Sequence, residues 1–224
     1  GIRITLDHPE IFLVQIRAML KAAVGLDNLQ LLLPMISALS EVDEARILIH
    51  RAYHELLEEG EAVTMPKIGA MVEVPSLIYQ IEPLAQRVDF LSIGSNDLTQ
   101  YLLAVDRNNA RVAELYDSLH PAVIGALRMV MDGAKKHRLP VSVCGEMAGD
   151  PAAALLLLGL GINSLSMSAS SLLRIKWVIR SFSKRSAKNL LGKVLQLEDA
   201  RAIRALLNHA LEKKGLGGLV RAGR

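Results

Sequence analysis

Apolar residues recur along this chain in two alternating patterns. Longer segments with an apolar position every three or four residues predict amphipathic helices, and short continuous apolar runs predict buried strands. The predicted helices lie at residues 9–24, 40–59, 75–87, 121–137, 151–158 and 170–180, with a final helix pair at 186–214. The predicted strands lie at residues 29–35, 68–74, 90–95, 141–144 and 164–167.

Strands and helices that alternate in this way are typical of a parallel sheet with helical crossovers, either a (β/α) barrel or a doubly wound sheet. The predicted strands are too few to close an eight-stranded barrel. The pattern therefore predicts an α/β fold that is either an open sheet or part of a barrel. The glycine-rich C-terminal segment, residues 215–224, is predicted to be a disordered tail.

The composition narrows the class of protein. Hydrophobic residues make up 51% of the chain and aromatic residues only 4%, which excludes global disorder and favours packed helices and buried strands. The longest apolar runs, residues 29–39 and 152–162, are too short to span a bilayer. Cys144 is the only cysteine, so an internal disulfide is excluded. We therefore expect a soluble, cytoplasmic protein that does not enter the membrane.

The formal net charge is only +3, and the basic residues gather in the last forty or so positions. Because no aromatic residues are interleaved with them, this segment predicts a solvated helix face and not a nucleic-acid surface. The basic residues concerned are Lys184, Arg185, Lys188, Lys193, Arg201, Arg204, Lys213, Lys214, Arg221 and Arg224.

Polar side chains follow three successive predicted strands. Glu73 ends the strand at 68–74, Asn96 and Asp97 follow the next strand, and Cys144 ends the one after that. Because the carboxyl ends of parallel strands share one edge of a sheet, these groups are expected to converge. Arg107, ten residues after Asp97, adds a group that binds anions. The sequence therefore predicts a ligand site.

Each of these residues also has a simpler interpretation. Glu73 alone could be an exposed strand-end acid, the pair Asn96 and Asp97 a helix cap, and Cys144 an inert buried residue. Their joint placement favours a site instead. Two carboxylates, from Glu73 and Asp97, suit Mg²⁺, and Cys144 could act as a nucleophile or a proton donor.

Three motifs identify a family that this chain resembles. They are Ile-Gly-Ala-Met-Val-Glu-Val-Pro at 68–75, Ser-Ile-Gly-Ser-Asn-Asp-Leu-Thr-Gln-Tyr-Leu-Leu-Ala-Val-Asp-Arg-Asn at 92–108 and Val-Cys-Gly-Glu-Met-Ala-Gly-Asp at 143–150. They resemble the phosphoenolpyruvate-binding barrel of Enzyme I, the phosphoenolpyruvate–protein phosphotransferase of the bacterial sugar phosphotransferase system. The resemblance extends from Gly1 to about Leu211, and the residues of the three motifs suggest the nitrogen-related branch.

This resemblance implies a TIM-type (β/α)8 barrel, here lacking its first three strands, that occupies residues 1–214 as an N-terminally truncated domain. It implies that Glu73 and Asp97 bind Mg²⁺. Asn96, the backbone of Asp97, and Arg107 would contact phosphoenolpyruvate. Cys144 would protonate the enolate carbon as pyruvate forms.

The resemblance also implies a reaction and partners. The phosphoryl group would pass to a histidine on a separate domain and then to a histidine phosphocarrier protein, within a homodimer. That histidine motif and the phosphate-binding arginines of the early barrel strands are not found in this chain, so the chain alone is expected to be inactive. Two alternatives remain open. One is a barrel of the pyruvate phosphate dikinase or phosphoenolpyruvate synthase type, and the other is a non-catalytic dimerisation or metabolite-sensing module.

Overall fold

The computed structural model describes residues 1–26 and 28–221. Its helices are α1 (Ile2–Asp7), α2 (Pro9–Ala22), α3 (Leu39–Glu58), α4 (Pro75–Ile78), α5 (Ile81–Leu84), α6 (Ser95–Leu103), α7 (Pro121–Lys136), α8 (Pro151–Leu160), α9 (Ala169–Ser181), α10 (Lys184–Val194), α11 (Ala200–Glu212) and α12 (Gly217–Arg221). Its strands are β1 (Gln30–Leu33), β2 (Lys67–Val72), β3 (Phe90–Gly94), β4 (Val141–Cys144) and β5 (Ser164–Leu165).

The strands form one five-stranded sheet whose spatial order follows the chain, β1-β2-β3-β4-β5. β1 pairs in parallel with β2, and β4 pairs in parallel with β5. The predicted α/β class with about five parallel strands is therefore confirmed. β1 and β5 are the edges of the described sheet, so the barrel is not closed, as expected for so few strands.

The chain forms two compact units, Gly1–Ser92 and Ile93–Arg224. In the first unit, α2 packs against α3. One face of α3 is fully buried because its apolar residues repeat at helical spacing. These buried residues of α3 are Val42, Ala45, Ile49, Ala52 and Leu56.

In the second unit, α8 is the central helix. Its sequence is apolar on every side, and such a helix must be covered all round. Helices α9, α10 and α11 pack against it. Gly159 lets α10 approach closely, because a Cβ atom there would lie 2.6 Å from the carbonyl oxygen of Ala187. This packing fixes the C-terminal helices on the same unit as β4 and β5.

The structure differs from the predicted elements in four places. Helix α1 (Ile2–Asp7) lies before the first predicted helix. The helix predicted at 75–87 is divided into α4 and α5, because Pro83 cannot donate a hydrogen bond to Tyr79 and its ring crowds that carbonyl. The polar segment after β3, predicted as a loop, begins with α6. The predicted tail at 215–224 contains α12, and residues 222–224 lie outside the described residues.

Within residues 1–26 and 28–221, no helix combines the length and the apolar character needed to cross a membrane.

Candidate active site

Asn96 and Asp97 lie in the first turn of α6, directly after β3. β3 ends at Gly94 and α6 begins at Ser95, so the strand end and the helix start are continuous. The first N–H groups of a helix have no partners within the helix and carry partial positive charge. The polar residues after β3 therefore lie where binding of an anion is favoured. The strand-end pattern predicts this location, although the residues lie on a helix and not in a loop.

The side chain of Asn96 is held by contacts to two other segments. Its Oδ1 accepts a hydrogen bond from the backbone N–H of Glu146 at 3.1 Å. The hydroxyl of Tyr116 lies 3.5 Å from the same oxygen and from the Asn96 carbonyl oxygen. Because the oxygen end of the amide is engaged by the protein, the two N–H groups of the amide are left to donate to a ligand.

Cys144 is fixed against β3 by two hydrogen bonds. The buried Ser95 hydroxyl donates to the carbonyl oxygen of Cys144 at 2.6 Å. The thiol of Cys144 donates to the carbonyl oxygen of Ile93 at 3.5 Å. These contacts join the ends of β3 and β4, so the predicted convergence of Asn96 and Cys144 is a feature of the second unit.

Gly145 makes this close approach of the two strand ends possible. Its φ angle is +98°, a conformation that residues with a side chain rarely adopt. A Cβ atom at this position would lie 2.6 Å from Ser95 Oγ and 2.8 Å from Asn96 Oδ1. The glycine is therefore required both by its backbone angle and by the space that Ser95 and Asn96 occupy.

Arg107 lies in the loop after α6, close to Asp97. Its Nη2 is 4.0 Å from Asp97 Oδ1, and about one third of each side chain is exposed. The backbone N–H of Arg107 donates to Gln100 Oε1 at 3.2 Å, which ties the loop to α6. A partly exposed pair of this kind contributes little to stability. The guanidinium is therefore available to bind an anion.

A cavity of about 850 Å³ opens beside these residues in the second unit. Asn96, Cys144 and Gly145 line one side of it. The other side is formed by residues after β5 and by the C-terminal helices, among them Ser168, Ser171, Arg174, Arg204 and Asn208.

Arg204, one of the basic residues predicted to lie on a solvated helix face, is 40% exposed and forms an ion pair with Asp150. Its Nη1 donates to Asp150 Oδ2 at 2.8 Å, so the side chain faces the protein at the cavity. The helical period of α11 predicts that Arg204 lies near the packed face of that helix, but it does not indicate which residue Arg204 contacts. Arg204 directly follows the buried Ile203, next to the packed face of that helix.

Glu73 belongs to the first unit, one residue beyond β2. It is buried, with 4% exposure, and its Oε1 accepts a hydrogen bond from the backbone N–H of Met35 at 2.6 Å. The interpretation as an exposed strand-end acid is therefore excluded. Among the described residues, no group of three or more His, Cys, Asp or Glu side chains could hold a metal ion. Mg²⁺ needs fewer protein ligands than that, because waters and substrate oxygens can complete its octahedron.

Burial raises the pKa of the Tyr116 phenol above its ordinary value of 10.0. The charge of Arg107 acts in the opposite direction, whereas the carboxylates of Glu146 and Asp97 raise the pKa further. The phenol is therefore a neutral hydrogen-bond donor to Asn96 across the physiological range.

The raised pKa predicts how stability changes with alkaline pH. Because the folded state binds this proton more tightly than the unfolded state, the stabilising contribution is complete below pH about 10 and is lost as the pH rises through the raised pKa. In an absorbance titration of the four tyrosines, we expect Tyr116→Phe to remove the component that ionises last. Tyr79, which is 79% exposed, is the control. Loss of the same component in Tyr79→Phe would contradict the assignment.

Comparison with known proteins shows the family to which this chain belongs. Residues 1–184 match the family model described as the PEP-binding domain of PEP-utilising enzymes, where PEP is phosphoenolpyruvate. The chain belongs to this family. The family resemblance read from the three motifs is thereby confirmed.

Relatives of this PEP-binding domain are phosphotransferases. A protein of Salmonella typhimurium named phosphoenolpyruvate-dependent phosphotransferase system is 51% identical over all of this chain, which corresponds to 30% of the relative's length. The phosphoenolpyruvate-protein phosphotransferase of Haemophilus influenzae is 42% identical over 96% of the chain and 38% of its own length. The chain therefore spans about one third of these curated relatives.

A solved structure supports the fold of the PEP-binding domain. The citrate lyase from Burkholderia xenovorans LB400 matches 91% of this chain and 69% of its own chain, with a TM-score of 0.56. At 15% sequence identity, the likeness shows the fold alone.

Proposed function

We propose that this chain is the phosphoenolpyruvate-binding domain of a phosphotransferase that moves the phosphoryl group of phosphoenolpyruvate to a histidine elsewhere in a longer protein. The observation that supports this most is the cavity in which Asn96 and Cys144 meet at the ends of β3 and β4. It lies in a chain that belongs to the PEP-binding family and whose relatives are named as phosphoenolpyruvate-protein phosphotransferases.

Asn96 and Arg107 are the proposed substrate-binding residues, and Cys144 is the proposed proton donor. The N–H groups of Asn96 and the guanidinium of Arg107 would bind the anionic oxygens of phosphoenolpyruvate, and so hold the substrate in one orientation. When the phosphoryl group leaves for the acceptor histidine, the enolate of pyruvate remains. Cys144 would then give its S–H proton to the enolate carbon, forming a C–H bond and leaving a thiolate.

Mg²⁺ is the proposed cofactor, with Glu73 and Asp97 as its protein ligands. When bound, it would neutralise charge that develops on the phosphoryl and enolate oxygens. Carboxylate oxygens such as those of Glu73 and Asp97 are ligands that Mg²⁺ prefers.

The proposed partners are those that the family resemblance implies. They comprise phosphoenolpyruvate and pyruvate as small molecules, a histidine phosphocarrier protein as the next acceptor, and a second copy of the protein in a homodimer. We also propose that the protein is cytoplasmic. A dikinase or synthase would pass the phosphoryl group to a nucleotide instead. A sensing module would bind the ligand without turnover.

Calorimetric titration of the full-length protein with phosphoenolpyruvate tests the proposal. With Mg²⁺ present, Arg107→Ala should weaken binding roughly 10- to 100-fold, the loss expected for a hydrogen bond to a charged group. Arg111→Ala is the matched control, because Arg111 is exposed on the same loop. Equal affinities for the two variants would count against the assigned role of Arg107. Labelled phosphate that appears on a nucleotide and not on a histidine would favour the dikinase alternative.

A further inference from the structure

Helix α11 contributes to the cavity although it lies beyond residues 1–184, the part that matches the family model. Arg204 and Asn208, one helical turn apart, both line the cavity wall. Arg204 also bridges to a different segment, because its Nη1 donates to Asp150 Oδ2 at 2.8 Å across 54 positions of sequence. The cavity is therefore closed partly by a helix outside the matched region.

Asp150 connects that helix to the segment that carries Cys144. Its Oδ2 is bound by Arg204, while its Oδ1 accepts a hydrogen bond from the backbone N–H of Ala152 at 2.9 Å and so caps α8. Between Cys144 and Asp150 the chain forms only Gly145 and the 3₁₀ helix Glu146–Gly149. Asp150 is thus the fixed C-terminal end of a short segment whose N-terminal end is the thiol residue.

We propose that Arg204 is a positioning residue for the candidate active site. Through Asp150 it holds the segment 144–150, hereafter the thiol segment, in the conformation that directs Cys144 to the cavity and the Glu146 N–H to Asn96. The proposal deepens the proposed function and rests on it for the chemical role of Cys144. The contact between α11 and the thiol segment stands on the geometry of the second unit alone.

The effect of Arg204 is local, because α11 does not depend on it for its place. Ile203, Leu207 and Leu211 form the buried face of α11, each no more than 1% exposed. The side chains of Arg204 and Asp150 are 40% and 24% exposed. An ion pair with that exposure adds little to global stability. Removing it should loosen the thiol segment while the second unit stays folded.

Alkylation of Cys144 by iodoacetamide measures this directly, because the chain has no other cysteine. We expect Arg204→Met to raise the alkylation rate roughly threefold or more, the scale of a lost partly exposed ion pair that controls local opening. Arg204→Lys, which keeps the charge, should restore most of the slow rate. Arg201→Met, an exposed position on the same helix, is the control and should leave the rate unchanged.

Asp150→Asn tests the other partner of the pair. Asparagine is a good N-cap, so α8 keeps its cap while the negative charge is lost. The variant should label as fast as Arg204→Met, and the double variant should be no faster. Circular dichroism with thermal melting checks that every variant is folded.

An unchanged alkylation rate in folded Arg204→Met would overturn the inference, and so would an equal rise in Arg201→Met. The same variants in the full-length protein should lower kcat for pyruvate formation more than they raise KM for phosphoenolpyruvate. Because the labelling experiment contains no phosphoenolpyruvate, its result is independent of the proposed function. A full-length protein that does not bind phosphoenolpyruvate would reject the proposed function and leave the positioning contact intact.

Discussion

Replacing Cys144 by alanine in the full-length protein should slow pyruvate formation by roughly 10²- to 10⁴-fold, the usual contribution of a general acid. Phosphoenolpyruvate affinity should stay nearly unchanged, because the enolate is protonated only after the substrate has bound and lost its phosphoryl group. A coupled pyruvate assay gives the rate, and calorimetric titration gives the affinity.

Cys144→Ser is the companion variant, because it keeps the size and a polar hydrogen but offers a much weaker acid. If the role of the thiol is to donate a proton, Cys144→Ser should turn over about as slowly as Cys144→Ala. If the role of the thiol is to fill space, the rate should be close to that of the native protein. Normal turnover in Cys144→Ala would return this residue to the class of inert buried cysteines.

Gly145→Ala should produce the largest change in folding and binding together. The added Cβ cannot be accommodated without displacing Ser95 and Asn96, and the φ angle of +98° adds backbone strain. We expect the free energy of unfolding to fall by roughly 1–3 kcal/mol. Phosphoenolpyruvate binding should weaken as well, because the Asn96 amide would lose its position. Urea unfolding and calorimetric titration measure the two effects.

The matched control is Gly192→Ala in α10. A Cβ atom there meets nothing within 4 Å, and the position is helical and exposed. This variant should gain about 0.5–1 kcal/mol, because alanine has the higher helix propensity. If Gly145→Ala were as stable as the native protein and bound the substrate normally, the close packing of Gly145 against Asn96 would have no functional consequence.

β2 and β3 were predictable from sequence because most of their side chains are buried. Apolar runs such as 68–74 and 90–95 have no other plausible environment, and their alternation with helical periods indicates the parallel order. Helix α6 was not predicted, because its first residues are polar and turn-forming in isolation. Tertiary packing decides its conformation, through the buried Leu98 and Thr99.

The part of the site that lies at the strand ends was predictable from sequence. Asn96 and Cys144 meet because parallel neighbouring strands place their carboxyl ends at one edge, and that follows from the alternation of elements alone. The bridge from Arg204 to Asp150 does not follow from any local pattern. It depends on how α11 packs on α8. A basic residue beside the buried face of an amphipathic helix has the same sequence pattern whether or not its side chain forms an ion pair.

The way in which Asn96 is held also bears on the chemical ageing of the protein. Its oxygen accepts the Glu146 N–H, and deamidation would keep such an oxygen while replacing the NH₂ group by a negatively charged one. Where aspartate is the product, the hydrogen bond from Glu146, and with it the local fold, would be kept. The damaged site would nevertheless repel an anionic substrate instead of donating to it. A preparation assessed only by its thermal stability would be taken as intact, while a growing fraction of its sites could no longer bind the substrate.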